Sequence, residues 1–453
     1  MEVREFDVVV VGAGPAGEVA AGRLGERGLS VAIVEESLVG GECSFYACMP
    51  SKALLRPVEL TREARRVPGV QAGEVDVQAV LARRDEVIHD GDDATQLPWL
   101  EKRGVTLVRG RGALAGERRV RVEEQELVAR RAVIVATGSD AALPDVPGLR
   151  EAEPWTNVQA TTAATVPARL AILGGGVVGA ELATAFSGLG SQVTLVHRGP
   201  RLLPREEPFA GEQVASALRE HGVDLRLETT VAGVSRNGAV TLSLAVGATV
   251  EADELLVAIG RVPSTAGLGL ETVGVETDGR GFLRVDESLR VAGRDWLYAV
   301  GDVNGRALLT HMGKYQGRLA ADAILGGDVR LRSDGAESPR VIFTDPQVGA
   351  VGHTLAAAQE AGLRVRAVDV ETSGNAGGSF VGRGAPGTAR LVIDEERRVV
   401  AGATITGAEV AEALHAATIA VVARVSLEDL WHAVPAFPTR SELWLRLLEK
   451  LGL

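Results

Sequence analysis

The chain has 453 residues, enough for about three domains, and its 46% apolar and 24% charged side chains are typical of a globular protein. Only Cys43 and Cys48 are cysteines, which excludes a disulfide-rich secreted scaffold. The net charge of −12 argues against nucleic acid or an anionic membrane as a partner.

The N-terminal residues lack the basic flank, apolar segment and cleavage site of a signal peptide. In addition, no apolar run approaches the ~20 residues that are needed to cross a bilayer. We therefore expect a cytoplasmic protein that has no membrane segment and does not bind nucleic acid.

A short apolar run and a glycine-rich turn open the chain. Residues 7–11 predict a strand buried on both faces, and a GxGxxG motif follows at Gly12, Gly14 and Gly17. In such a turn the first glycine allows the bend, the second lets the backbone approach a pyrophosphate, and the third lets helix and strand pack closely. Glu35 ends the next strand-like stretch, where a carboxylate can bind a ribose diol. This order predicts a dinucleotide-binding unit.

The same pattern returns at Gly174, Gly176 and Gly179, so the sequence predicts two dinucleotide-binding units. In the second copy the position of the ribose-binding acid is His197, and Arg198 follows it. A carboxylate repels a 2′-phosphate, whereas an arginine pairs with it bidentately. The second unit is therefore predicted to favour NADPH, the alternative being a site that also accepts NADH.

Both cysteines lie just after the first unit, where residues 40–52 read GGECSFYACMPSK. This GGxCxxxxCxPSK string closely resembles the redox-active segment of the pyridine nucleotide–disulfide oxidoreductases, the family of dihydrolipoamide dehydrogenase, glutathione reductase and mercuric reductase. Further resembling segments are ATG at 136–138, GRVP at 260–263, YAVGD at 298–302 and VIFTDP at 341–346. The resemblance covers essentially the whole chain.

The resemblance implies an α/β fold with two Rossmann-like dinucleotide-binding domains and a C-terminal α+β interface domain. Residues 1–150 and 262–335 would bind FAD, residues 151–261 would bind NAD(P), and residues 336–453 would form the interface domain. In that last domain the sequence predicts a strand-like stretch at 389–406 and a helix-like stretch at 408–424. The family dimerises through this domain, so a homodimer is expected.

The resemblance also implies the roles of the reactive residues. Electrons would pass from NAD(P)H through FAD to a Cys43–Cys48 disulfide, with Cys48 against the flavin and Cys43 exposed to an outside acceptor. Lys52 would lie near the flavin and pair with Glu181. A cation in this place favours the reduced, anionic form of the flavin.

The resemblance extends to the residues that contact the cofactors. Asp302 would hold the ribityl chain of the flavin, and Thr310 would lie against the flavin. Metal ligands are not expected, since the scattered histidines lack ligand spacing. The predicted cofactor-binding residues are Gly12, Gly14, Pro15, Ala16, Gly17, Glu35, Glu36, Gly41, Glu42, Lys52, Gly112, Ala136, Thr137, Gly138, Gly301, Asp302, Thr310, Gly174, Gly176, Val177, Val178, Gly179, Glu181, His197, Arg198, Gly260 and Arg261.

The C-terminal segment departs from the family pattern. The family ends with His-Pro-Thr-x-Ser-Glu, in which the histidine of one subunit moves protons for the interchange thiol of the other. Here Phe437 stands in the histidine position, and Glu442 keeps the acid of the motif. His432 is not the histidine of the motif shifted along the sequence. Losing a positioned base typically costs ~10²–10⁴-fold in the proton-transfer step. The sequence therefore predicts a non-standard acceptor, such as a quinone, a dye or a reactive disulfide.

Two other functions remain open. The first is a dihydrolipoamide dehydrogenase of a 2-oxo acid complex, with another base in place of the histidine. The second is a redox-sensing flavoprotein of low turnover, whose sulfurs switch a partner interaction. Mercuric reductases usually carry a further cysteine pair near the C-terminus, and this chain has none.

Overall fold

The computed structural model describes residues 2–385 and 387–453. Its strands in chain order are β1 Glu2–Val11, β2 Val31–Glu35, β3 Val105–Arg109, β4 Gly112–Leu114, β5 Arg119–Val122, β6 Gln125–Val135, β7 Ser139–Ala141, β8 Arg169–Leu173, β9 Gln192–Val196, β10 Asp224–Arg226, β11 Val231–Asn237, β12 Ala239–Leu244, β13 Thr249–Ala252, β14 Glu254–Val257, β15 Arg261–Pro263, β16 Leu297–Ala299, β17 Arg340–Ile342, β18 Gln347–Gly352, β19 Val365–Glu371, β20 Thr388–Asp394 and β21 Val399–Gly407. Its helices are α1 Pro15–Glu26, α2 Gly41–Phe45, α3 Cys48–Arg66, α4 Val77–Val87, α5 Leu97–Glu101, α6 Asn157–Thr161, α7 Val177–Gly188, α8 Pro208–Glu220, α9 Thr310–Ile324, α10 Leu355–Glu360, α11 Ala376–Ser379, α12 Val410–Val422, α13 Leu427–His432 and α14 Glu442–Leu451.

The described residues form two compact units. The first contains the residues up to Pro50 together with Asp85–Ala141 and Arg261–Gly335. The second contains Ser51–Arg84, Ala142–Gly260 and the part of Ala336–Leu453 that is described. The finer division into FAD, NAD(P) and interface domains stays a prediction.

A mostly parallel sheet with the order β3-β2-β1-β6 forms the centre of the first unit, and β16 also pairs with β6 in parallel. The side chains of β1 alternate between two buried faces. Val8 and Val10 pack on the side of α1, whereas Val9 and Val11 pack on the opposite side. Both faces are therefore covered, as the unbroken valine run predicts.

The second unit repeats this strand–turn–helix order in the parallel sheet β10-β9-β8-β14. Helix α7 follows β8 just as α1 follows β1. A small antiparallel sheet, β11-β12-β13, lies within the same unit. Carboxyl ends of parallel strands are where such folds bind ligands, so both glycine turns lie at positions suited to a dinucleotide.

The C-terminal part of the second unit is built on the antiparallel sheet β17-β18-β21-β20-β19. The strand-like stretch predicted at 389–406 consists of two strands, because the chain turns back between β20 and β21. Asp394 closes this turn by accepting hydrogen bonds from the amides of Glu396 and Arg397. The helix predicted at 408–424 is present as α12.

None of the helices in residues 2–385 and 387–453 is long and apolar enough to cross a membrane. Within the same ranges, no group of three or more His, Cys, Asp or Glu side chains is arranged to hold a metal ion.

Candidate active site

The first glycine turn connects β1 to α1. Gly12 has a φ of +102°, in the left-handed region that favours glycine, and a Cβ there would overlap the carbonyl oxygen of Ala136. A Cβ on Gly17 would overlap the carbonyl oxygen of Gly12. The first and third glycines are therefore required by close backbone packing.

The middle glycine serves a different purpose, because a Cβ on Gly14 would have no atom within 4 Å. Gly14 is the N-cap of α1 and contributes no side-chain cap, so the first amides of the helix face this open space. Gly41 also comes close, since a Cβ on it would lie 2.8 Å from the Cα of Gly14. Open space at a helix N-terminus fits the pyrophosphate of FAD.

We expect Gly14→Ala to leave the fold intact but to lower FAD affinity by at least about tenfold, because the methyl group would occupy the space for the pyrophosphate. Gly17→Ala should instead lower thermal stability, since its methyl group overlaps backbone. FAD occupancy after gel filtration and thermal unfolding measure the two effects. Equal FAD occupancy in Gly14→Ala and the wild type would contradict this assignment.

Glu35 lies at the end of β2 with both carboxylate oxygens fixed by backbone amides. One oxygen accepts a hydrogen bond from Ala13 N at 2.7 Å, and the other accepts one from Ser37 N at 2.8 Å. The carboxylate is thus held beside the turn, where a ribose would lie. Its neighbour Glu36 is exposed.

The second glycine turn has the same construction. Gly174 has a φ of +124°, a Cβ on Gly179 would overlap the carbonyl oxygen of Gly174, and a Cβ on Gly176 would meet open space. Val177 and Val178, which begin α7, are exposed beside it. The space beside the helix N-terminus is thus open in this turn as well.

The residue that corresponds to Glu35 makes the same contact with a different group. His197 Nδ1 accepts a hydrogen bond from Gly175 N at 3.2 Å, as Glu35 does from Ala13 N. Burial, and then the charge of Arg198, lower the pKa of His197. The imidazole is therefore neutral at physiological pH, so the turn keeps its hydrogen-bond acceptor without a negative charge.

A polar cluster in the first unit connects several of the predicted flavin contacts. Arg261 donates to Ser139 Oγ at 2.7 Å and forms an ion pair with Glu42. Ser139 Oγ donates to Asp302 at 2.6 Å. Burial raises the pKa of Asp302, although Ser139 and Arg261 oppose the shift. Ser139 joins these side chains and was not identified from the sequence.

Several other predicted flavin contacts lie in the first unit. Thr137 Oγ1 donates to the carbonyl of Ser264 at 2.8 Å. Gly301 lies so close to α1 that a Cβ on it would be 3.2 Å from the Cβ of Ala16. Pro15 at the start of α1, Gly138 before β7 and Gly112 at the start of β4 also belong to this unit, whereas Gly260, just before β15, belongs to the second unit.

The two cysteines lie in successive helices, and both belong to the first unit. Cys43 is in α2, Cys48 begins α3, and no disulfide joins them. The Sγ of Cys48 is 3.3 Å from Thr310 Oγ1, at the start of α9. A hydrogen bond with Cys48, and then burial, raise the pKa of Cys43 well above its ordinary value, while the charge of Lys314 opposes the shift. The structure thus brings the two sulfurs together in surroundings that disfavour the thiolate of Cys43.

Lys52 and Glu181 meet within the second unit. The ammonium group of Lys52 lies 2.7 Å from Glu181 Oε2, and the carboxylate is buried while the lysine is partly exposed. The pair is therefore held as an ion pair.

The C-terminal motif lacks a proton-carrying side chain where the family has its histidine. Phe437 is 76% exposed, and His432, at the end of α13, is exposed as well. Glu442 is buried at the start of α14, where it accepts a hydrogen bond from Gly377 N at 3.3 Å. The acid of the motif is thus anchored within its own unit.

Glu18 is an ionisable residue of α1 that the sequence did not single out. Burial raises its pKa from the ordinary 4.5 to about 7, with Lys314 opposing the shift and Glu35 adding to it. The folded protein thus holds a proton that the unfolded chain releases above pH 4.5. Stability is therefore lost as the pH rises from about 4.5 to about 7.

We expect Glu18→Gln to raise the free energy of unfolding above pH 7 by roughly 1–3 kcal/mol and to leave it nearly unchanged below pH 4.5. Thermal unfolding of the FAD-loaded protein between pH 4 and 8 measures the difference. The exposed residue Glu276 provides the control substitution Glu276→Gln. A stabilisation that is the same at every pH would contradict the assignment.

The chain matches a family model over most of its length. Residues 6–320 match the model described as pyridine nucleotide-disulphide oxidoreductase. Residues 338–447 match the dimerisation domain of the same family.

Curated relatives have several different activities. A dihydrolipoyl dehydrogenase of Haloferax volcanii is 34% identical over 461 residues, covering 98% of this chain and 95% of the relative. A glutathione reductase of Burkholderia cepacia is 33% identical, with 99% of each chain covered. A mercuric reductase of Staphylococcus aureus is 31% identical, with 97% of this chain and 81% of the relative covered.

Solved structures have the same fold. LpdA from Mycobacterium tuberculosis is 27% identical over 100% of both chains, with a TM-score of 0.87. The Cu(II) complex of the HOCl-induced flavoprotein disulfide reductase RclA from Escherichia coli is 25% identical, with a TM-score of 0.86 and 98% and 99% of the two chains covered. The fold class and the family predicted from the sequence are thereby confirmed. The chain belongs to the pyridine nucleotide–disulphide oxidoreductases, enzymes that bind FAD and use NAD(P)H.

Proposed function

We propose that the protein is an NADPH-dependent disulfide oxidoreductase whose terminal acceptor takes electrons without the aid of a positioned base. The observation that carries this proposal is the exposed, apolar Phe437 at the histidine position of the C-terminal motif. The raised pKa of Cys43 supports it, because this thiol keeps its proton at neutral pH. Without a base nearby, thiol–disulfide exchange with an ordinary disulfide is slow.

When bound, FAD carries the electron pair of the nicotinamide to the disulfide. The residues of the chain hold the reacting groups and their protons. Thr310 Oγ1 is a hydrogen-bond partner for the Sγ of Cys48, the sulfur that would face the flavin. Cys43 holds the proton of the reduced pair and would meet the acceptor. Lys52, fixed by Glu181, would supply positive charge beside the flavin.

Acceptors that need little proton transfer fit this site best. Quinones and dyes take electrons directly from a reduced centre, and disulfides of low thiol pKa leave readily as thiolates. Metal ions also accept electrons without a proton, and relatives include mercuric reductase and the Cu(II) complex of RclA. Hg(II) and Cu(II) therefore belong among the acceptors to be tested.

A steady-state screen with NADPH tests the proposal. The acceptors are lipoamide, oxidised glutathione, an activated aromatic disulfide, quinones, Cu(II), Hg(II) and oxygen. We expect faster turnover with quinones or the activated disulfide than with lipoamide and glutathione, and the rates with Cu(II) and Hg(II) show whether a metal ion is reduced without a further cysteine pair. Rapid lipoamide turnover would instead establish a dihydrolipoamide dehydrogenase, and slow turnover with every acceptor would favour the redox sensor.

The preference for NADPH is part of the proposal. Arg198 is exposed beside the neutral His197, so a 2′-phosphate would meet a cation and no carboxylate. We expect Arg198→Ala to raise the KM for NADPH roughly tenfold to a hundredfold and to leave the KM for NADH unchanged. This factor corresponds to the free energy of one charge-assisted hydrogen bond. Exposed Arg219 gives the control Arg219→Ala. Equal changes for both nucleotides would contradict this preference.

We further propose that two copies of the chain form a homodimer, as the match to the dimerisation domain suggests. A partner subunit would cover the exposed large apolar side chains in the described part of this segment. They are Phe380, Ile419, Trp431, Val434 and Phe437. Sedimentation analysis measures the assembly, and the cytoplasmic location stays a prediction.

A further inference from the structure

The ion pair between Lys52 and Glu181 has a third member that the sequence did not identify. The ring of Phe343 lies over the ammonium group of Lys52, with the Nζ atom 4.8 Å from the ring centroid. The backbone N–H of the same phenylalanine donates to Glu181 Oε1 at 2.9 Å. Lys52 occupies the other carboxylate oxygen. One residue therefore contacts both members of the pair.

These contacts limit where the lysine can go. The side chain of Lys52 is 35% exposed and that of Glu181 only 6%, so the lysine has a route to water while the carboxylate is fixed. A flexible ammonium group with access to water samples several positions unless its surroundings hold it. The ring of Phe343 covers one side of the ammonium group and attracts it through its π electrons.

The segment that carries Phe343 is itself anchored along α3. Lys52, Glu59 and Arg66 are spaced seven residues apart and therefore lie on one face of this helix. Phe343 contacts the first of them, Gln347 hydrogen-bonds to the second, and Asp345 pairs with the third. The ring also packs against the cluster that contains Leu54, Leu55 and Val58. Its position over Lys52 is thus fixed by contacts on several turns of the helix.

We infer that Phe343 is a positioning residue that holds the charge of Lys52 in the orientation required beside the flavin. The inference rests on the proposed function, because it takes Lys52 as the cation that favours the reduced cofactor. A residue that merely fills the core would affect stability alone. A positioning residue must change the flavin's redox equilibrium, and only while Lys52 is present.

A double-mutant cycle separates these roles. The variants are Lys52→Met, Phe343→Leu and the combination, and Phe343→Tyr keeps an aromatic ring. All of them retain the backbone N–H of residue 343 that binds Glu181. The two substitutions of Phe343 therefore change only its side chain. The readout is the reduction potential of the bound flavin, measured by equilibration with a reference dye, together with FAD occupancy and thermal unfolding of each holoprotein.

We expect Lys52→Met to lower the ratio of reduced to oxidised flavin at least tenfold, about 30 mV for a two-electron couple. Phe343→Leu should lower the ratio by a factor of about three to ten when Lys52 is present and should have no effect in the Lys52→Met background. Phe343→Tyr should retain the wild-type potential.

An equal shift from Phe343→Leu in both backgrounds, or a shift in neither, would overturn the inference. An unchanged potential in Lys52→Met would overturn the proposed role of Lys52 and this inference with it. The acceptor screen with the wild-type enzyme tests the proposed function independently, since it does not depend on the potential of any variant.

Discussion

Replacing Phe437 by histidine should raise NADPH-dependent turnover of lipoamide or oxidised glutathione by about 10²–10⁴-fold, the usual contribution of a positioned base. The hydrogen bond with Cys48 and burial raise the pKa of Cys43, so this thiol needs a base before it can exchange. Glu442 stands at its place in the motif and could orient the new imidazole, although it already accepts a hydrogen bond from Gly377. Steady-state rates against pH measure the gain.

Phe437→Leu is the matched control, because it removes the aromatic ring without adding a base. It should leave lipoamide and glutathione turnover low. If the histidine variant is no faster than the leucine variant, the altered acceptor does not follow from the missing base, and the cause lies deeper in the site.

Replacing Cys43 by serine should lower turnover of disulfide acceptors by roughly 10³-fold or more, because the residue that would attack the acceptor is lost. Cys48 and its contact with Thr310 remain, so the flavin should still accept electrons from NADPH. Acceptors that react directly with the flavin should therefore keep their rates. Rapid-mixing reduction by NADPH and the acceptor screen measure the two steps separately.

Ser44, the neighbour of Cys43 on α2, offers the control substitution Ser44→Ala. It should leave both classes of acceptor nearly unaffected. Unchanged turnover of disulfides by Cys43→Ser would contradict the exchange role of this cysteine. If the turnover of quinones fell as much as that of disulfides, the dithiol and not the flavin would be the site of quinone reduction.

The features predicted from the sequence depend on short stretches of chain. The glycine turns follow from steric limits that act within a few residues. A side chain on Gly17, for example, would overlap the carbonyl oxygen of Gly12. The turn between β20 and β21 was missed although its polar run, DEERR at 394–398, is a turn signal between two apolar stretches.

The features that the sequence did not predict depend on which distant segments meet. Ser139 connects Arg261 to Asp302, and each of the three comes from a different part of the chain. Phe343 reaches Lys52 and Glu181 in the same way. Glu18 resembles any helix-surface acid in the sequence, and only its burial in the fold reveals the shifted pKa.

The matching contacts of Glu35 and His197 separate what the architecture requires from what the ligand requires. Each side chain provides one lone pair to the amide of the adjacent turn, and the backbone is satisfied equally by a carboxylate or an imidazole. The negative charge at this position can therefore be lost while the turn stays the same. One backbone plan, used twice, thus presents a carboxylate to the ligand of the first turn and a neutral imidazole to the ligand of the second.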